Sequence, residues 1–155
     1  MKRTKRRMTL CTVLLLCNLV FIWGNSLLPA EVSGQISGTL KALLDGLFTP
    51  GEAIPSGGDG LLRKCAHFAE FGALGLLLGW LFGMLGKKRL PAFALGVAAA
   101  CIDETIQAFV PGRSPGIRDV CIDSCGAAAG MLLLHLGHAY WKKRFTRKIS
   151  GGNET

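Results

Sequence analysis

Charge is scarce in this chain: only 18% of its 155 residues are Asp, Glu, Lys or Arg, against 50% hydrophobic. Mean hydropathy is accordingly positive, at +0.38. A soluble domain of this size has too little interior to hide so much apolar surface, which argues against an ordinary soluble protein and makes a membrane protein the expected class. Patterns that would suggest a strand are missing as well. Glycine, by contrast, is plentiful at 21 residues, as suits helices that pack closely in lipid. The length fits one domain.

Four apolar segments carry the hydrophobicity, at about 8–28, 61–85, 90–110 and 117–140. Each is close to the ~20 residues that cross a hydrocarbon core ~30 Å thick. Backbone polar groups must be satisfied within each segment, so all four should be helical. The expected fold is therefore all-α, a four-helix transmembrane bundle in the cell membrane. Between the first two segments Val32, Ile36, Leu40, Leu43, Leu44 and Leu47 recur at helical spacing, which predicts a short amphipathic surface helix in the first outer loop. The stretch TPGEAIPSGGDG after it reads as a turn-rich linker. The N-terminal segment has the basic start of a signal peptide. Its apolar run is too long for one and no A-x-A site follows, so an uncleaved helix is expected.

The net charge of +8 raises the question of nucleic acid, and the placement of the basic residues answers it. Lys2, Arg3, Lys5, Arg6 and Arg7 precede the first segment, and Lys87, Lys88 and Arg89 separate the second from the third. Lys142, Lys143, Arg144, Arg147 and Lys148 follow the fourth, so 13 of the 18 basic residues lie on one side of a four-crossing chain. The positive-inside rule makes that side cytoplasmic, with both termini there and Tyr140 and Trp141 as interfacial anchors. The basic excess is topological, and no nucleic-acid partner is expected. One membrane domain covers 1–145, and 146–155 form a cytoplasmic polar tail.

At a rise of ~1.5 Å per helical residue, three segments place ionisable groups at one common depth, just under the outer surface. The second brings Lys64 and His67, the third Asp103, Glu104 and Gln107, and the fourth Asp119 and Asp123. Lys64, His67 and Phe71 share a face, while Glu70 sits to one side. Asp103 and Gln107 are i, i+4 neighbours, as are Asp119 and Asp123. The Asp123 face continues into Gly126-Ala-Ala-Ala-Gly130, a close-approach surface for another helix. Charged groups at mid-membrane cost ~2.5–3.5 kcal/mol each on insertion scales, so a cluster of them implies pairing and function. A plain polar lock, such as Lys64 paired with Asp119 to hold register, is the competing reading.

RKCAHFAEFGALG, DETIQAFVPGR and RDVCIDSCGAAAG, preceded by WGNSLLPAEVSG, resemble the VanZ-like membrane proteins of bacteria over roughly residues 10–137. The family takes its name from a protein associated with resistance to the glycopeptide teicoplanin. It has also been grouped with membrane-embedded helical enzymes thought to act on lipid head groups. The resemblance thus implies processing of lipid head groups or lipid-linked cell-envelope precursors, with a contribution to glycopeptide resistance. Pro115 departs from a loop that more often carries a flexible Ser/Gly pair, and Cys121 and Cys125 are not pattern positions.

As an enzyme, the chain would carry out phosphoester or phosphoryl-transfer chemistry on a lipid head group. Lys64, Arg113 and Arg118 would hold the phosphate, arginine in a bidentate way. His67 is the best general acid/base or nucleophile, because an unperturbed imidazole titrates near neutrality. Asp103 or Glu104 would orient it or act as base, and Gln107 would bind substrate oxygens. Asp119 and Asp123 would position the arginines or take a divalent cation, with no metal-ligand set assigned. The alternative is a non-catalytic binder or accessory protein that shields envelope precursors from antibiotic. An ion-path reading is weakened because helix one and the inner halves of the others lack matching ionisable groups. His135 and His138 read as interfacial, and the six cysteines as packing residues.

Overall fold

A computed structural model describes residues 2–48 and 59–150, apart from the side chains at 40, 41, 44–48, 59 and 145–150. Five helices make up the described chain: α1 (Lys2–Ser26), α2 (Ala30–Phe48), α3 (Asp59–Met84), α4 (Arg89–Ala108) and α5 (Ile117–Ser150), with no strand among the described residues. Four of them contain windows long and apolar enough to cross a membrane: Lys2–Ser26, Gly60–Met84, Arg89–Ala108 and Ile117–Arg144. The expected all-helical, four-span architecture is what the chain forms. The predicted spacing over 32–47 falls in α2, where Val32, Ile36 and Leu43 are exposed. Leu40, Leu44 and Leu47 side chains, the linker at 49–58 and residues 151–155 of the tail lie outside the described residues.

Prolines mark the ends of these helices for ordinary steric reasons. Leu28 and Val110 each precede a proline, which disfavours helical backbone, and α1 and α4 stop just before them. Pro91 sits in the first turn of α4, where a missing N–H costs nothing. Asp119 occupies the first turn of α5, where a carboxylate complements the helix dipole.

Helices α3 and α5 form the spine, and glycine lets their backbones touch. A Cβ at Gly130 would run into the Gly72 carbonyl oxygen, one at Gly126 into the Phe68 carbonyl, and one at Gly75 into the Ala127 carbonyl. The Gly126–Gly130 surface therefore does meet another helix, and that helix is α3. Helix α4 leans on both, with Gly96 against the Ala127 methyl. Ile22 of α1, Phe71, Leu74 and Leu78 of α3, Ala92, Ala99 and Ala100 of α4 and Met131 of α5 make one buried cluster. The outer faces are as apolar as the inner ones: Leu10, Leu16, Val20, Phe21, Leu95 and Leu133 are all exposed. Only 11% of the apolar window of α1 is buried within the chain, so most of that helix presents apolar surface outward, as suits a membrane protein.

The cysteines depart from expectation. Cys11 is buried and donates to the Leu77 carbonyl at 3.5 Å, but Cys17, Cys65, Cys101, Cys121 and Cys125 are exposed. On helices wrapped in lipid, a small apolar thiol is at home on the outside too.

Candidate functional site

The C-terminal end of α1, the first half of α3, the last two turns of α4 and the first two of α5 meet at one end of the bundle. The basic clusters of α1, the α3–α4 turn and the tail of α5 occupy the other end. The polar residues at this end are joined by hydrogen bonds, and at its centre lies Asp103, fully buried. The Ser26 hydroxyl donates to Asp103 Oδ1 at 2.6 Å, and Gln107 Nε2 donates to Asp103 Oδ2 at 2.8 Å and to Ser26 Oγ at 3.3 Å. Both lone-pair faces of the carboxylate are thus oriented by neighbours. His67 Nδ1 stands 3.8 Å from Asp103 Oδ2 and 3.9 Å from Asp123 Oδ1. Asp123 is 1% exposed, and neither its Oδ1 nor His67 Nδ1 has a hydrogen-bond partner among the described residues.

The loop at 109–116 closes over this end. Glu104 Oε1 accepts a hydrogen bond from the Gly116 N–H. Arg113 donates from Nε to the Leu28 carbonyl at 3.2 Å and from Nη2 to the Asn25 carbonyl at 3.3 Å, capping the end of α1. Gly112 makes the turn with φ +75°, and a Cβ there would press on the Ala30 methyl at 3.0 Å, so loop and α2 start are fitted to each other. Burial, reinforced by Arg63 nearby, pulls the Arg113 guanidinium below its ordinary value, against Asp103 and Glu104. It stays charged nonetheless.

Two clefts open on either side of His67. The smaller has a cavity volume of only about 10 Å³ and is lined by Arg63, Lys64, His67, Gln107, Asp119, Ile122 and Asp123. The larger has a cavity volume of about 390 Å³ between α1, α2 and α3. Its polar end holds Arg63, His67, Glu70, Asn25 and Arg113, while Phe21, Leu28, Ile36 and Leu62 supply apolar wall.

The residues singled out by sequence are therefore partly gathered and partly dispersed. His67, Asp103, Gln107 and Asp123 are in mutual reach, with Lys64 and Asp119 lining the smaller cleft beside them. No ion pair joins Lys64 to Asp119 among the described residues, so the proposed register lock between them is not formed. Asp103 is the acid beside His67, while Glu104 spends its Oε1 on the loop. Arg118 is exposed and lines neither cleft. Sequence reasoning passed over Ser26, Asn25, Glu70 and Arg63. Asn25 Nδ2 donates to Glu70 Oε1 at 3.1 Å, which ties α1 to α3 at the larger cleft. The available signal was an uncharged polar pair, Asn25-Ser26, ending an apolar helix.

No curated protein and no solved structure matches the chain. A family model described as VanZ/LLP1 matches residues 8–138, which takes in most of the first and fourth apolar windows, all of the second and third, and every residue of the polar cluster. The chain belongs to the VanZ/LLP1 family.

Proposed function

We propose that this protein processes phosphate-bearing lipid head groups or lipid-linked envelope precursors from the outer leaflet, by phosphoester hydrolysis or phosphoryl transfer. One observation carries the reading: His67 faces both clefts, and the larger joins a cationic end to an apolar wall. A lipid phosphate needs that combination, with guanidinium or ammonium groups for its oxygens and grease for its chain. Arg63 lines both clefts and Lys64 the smaller, so these two supply the cations. Two of Arg113's nitrogens are committed to carbonyls, and its role is to hold the loop and shape the larger cleft.

In the hydrolytic form, a water oxygen attacks phosphorus as the bond from phosphorus to the lipid-side oxygen breaks. The His67–Asp103–Asp123 cluster accepts one proton from the water and returns one to the leaving oxygen, giving an alcohol and a phosphomonoester from a phosphatidyl lipid, or a lipid monophosphate and phosphate from a diphosphate. Gln107 and Ser26 hold Asp103 in place through the exchange. The low-dielectric walls strengthen each electrostatic contact. Altered precursors at the outer leaflet would also account for a link to teicoplanin-type resistance.

Purified protein in mixed micelles with polyprenyl diphosphate or phosphatidyl lipids should release phosphate or a phosphomonoester, followed by ³¹P NMR. Arg63→Gln should raise KM about tenfold with little change in kcat, as loss of one charge-assisted contact does. Lipid bound without any conversion sinks the catalytic reading and leaves a head-group binder. The outward orientation has its own test. Pro115→Cys should react with an impermeant maleimide added to intact cells, above the wild-type background, and Lys88→Cys should not. The reverse pattern would put the site on the cytoplasmic face.

A further inference from the structure

The three groups at the centre of the cluster have the geometry of a metal site. His67, Asp103 and Asp123 each present one ligand atom, and these atoms all lie within 4.8 Å of one another. The two distances from His67 Nδ1, 3.8 and 3.9 Å, are too long for hydrogen bonds. Yet His67 Nδ1 and Asp123 Oδ1 are both buried and have no hydrogen-bond partner among the described residues. Buried polar atoms are rarely left so, and two of them aimed at one point call for a common ligand. An ion set among the three atoms would lie about 2.5 Å or less from each, within the range divalent cations keep from their ligands.

We propose that His67 Nδ1, Asp103 Oδ2 and Asp123 Oδ1 bind a divalent cation of the Mn²⁺ or Zn²⁺ class. Two carboxylates face one imidazole in an apolar interior, where their negative charge must be balanced. A divalent ion with a neutral imidazole balances both carboxylates. One nitrogen with two oxygens suits Zn²⁺ or Mn²⁺ better than Mg²⁺ or Ca²⁺, which favour all-oxygen shells. The Ser26 and Gln107 hydrogen bonds to Asp103 are the kind of outer support that ligating carboxylates carry. Three protein ligands leave positions open toward the clefts, where Arg63 and Lys64 would bring a phosphate.

This inference rests on the phosphate-processing reading for its biological meaning, because a bound cation would make water nucleophilic near neutral pH and release its proton to the cleft. Its test does not depend on that reading. Chelator-treated wild-type protein in detergent is titrated with Mn²⁺, and free Mn²⁺ is followed by its EPR signal. Saturable uptake of one ion per chain is expected, displaced by Zn²⁺. His67→Gln and Asp123→Asn should each weaken uptake ~100-fold, and Ser26→Ala by ~10–100-fold, as outer-shell changes do. Glu31→Gln, on exposed α2 surface, should leave uptake unchanged.

Circular dichroism establishes that each variant keeps its helices. No uptake by folded wild type, or undiminished uptake in His67→Gln, overturns the site, and uptake of Ca²⁺ alone overturns the cation class. Lipid-phosphate turnover that persists in chelator without Mn²⁺ uptake removes the cation and leaves the phosphoester reading standing. Uptake without turnover of any lipid phosphate does the opposite.

Discussion

Gly130→Val should yield no folded protein, or one destabilised by ~3 kcal/mol or more with a lowered thermal midpoint, because overpacking a rigid contact leaves nothing to relax. The new Cβ would overlap the Gly72 carbonyl oxygen and lie 2.9 Å from the Leu76 nitrogen, both backbone atoms of α3. Helix α5 would have to move away along its length, and the neighbouring contacts at Gly126 and Gly75 would open with it. Those contacts hold Asp123 over His67, so the cluster would be lost even if a loosened bundle survived. Gly137→Val tests the same chemistry on the same helix where a Cβ meets nothing within 4 Å. It should cost no more than the few tenths of a kcal/mol typical of a surface change. Yield of monodisperse protein and its melting midpoint in detergent read both variants. Equal behaviour of the two would mean that α3 and α5 are not in backbone contact.

That the Gly126–Gly130 face of α5 would meet another helix was readable in advance, because small residues at i, i+4 make a flat surface for close packing, whereas its partner α3 was not. The convergence of depth was readable for a similar reason. Rise per residue is fixed in a helix, so Lys64, His67, Asp103, Asp123 and Gln107 had to come near one level once four spans were granted. What periodicity cannot decide is which of two adjacent acids turns inward. Asp103 and Glu104 differ by ~100° around α4, and only packing against α1 and α3 put the first beside His67 and the second beneath the loop.

Uncharged groups were harder to see. Ser26 and Asn25 raise no alarm in an apolar helix, yet Ser26 is fully buried against Asp103 and Asn25 holds Glu70. Arg113 was legible as a cation and illegible as a cap, because its partners are the carbonyls of Asn25 and Leu28, which no side-chain pattern announces. Arg63 was hidden beside Lys64 in sequence, although it alone of the two lines both clefts.

The central claim is that the buried cluster works as a site and is not a lock that merely holds helices in register. A lock stabilises the fold, whereas groups kept for chemistry commonly cost stability. Asp123→Asn separates the two, since the amide keeps the shape and removes one of two facing carboxylates in an apolar setting. Its partnerless Oδ1 gives up no hydrogen bond within the protein. The measurement is a paired one on purified protein: melting midpoint in chelating buffer, and turnover of a lipid phosphate. A midpoint equal to or above wild type, with turnover reduced ~100-fold or more, is the predicted result. A lowered midpoint with turnover unchanged would contradict the account.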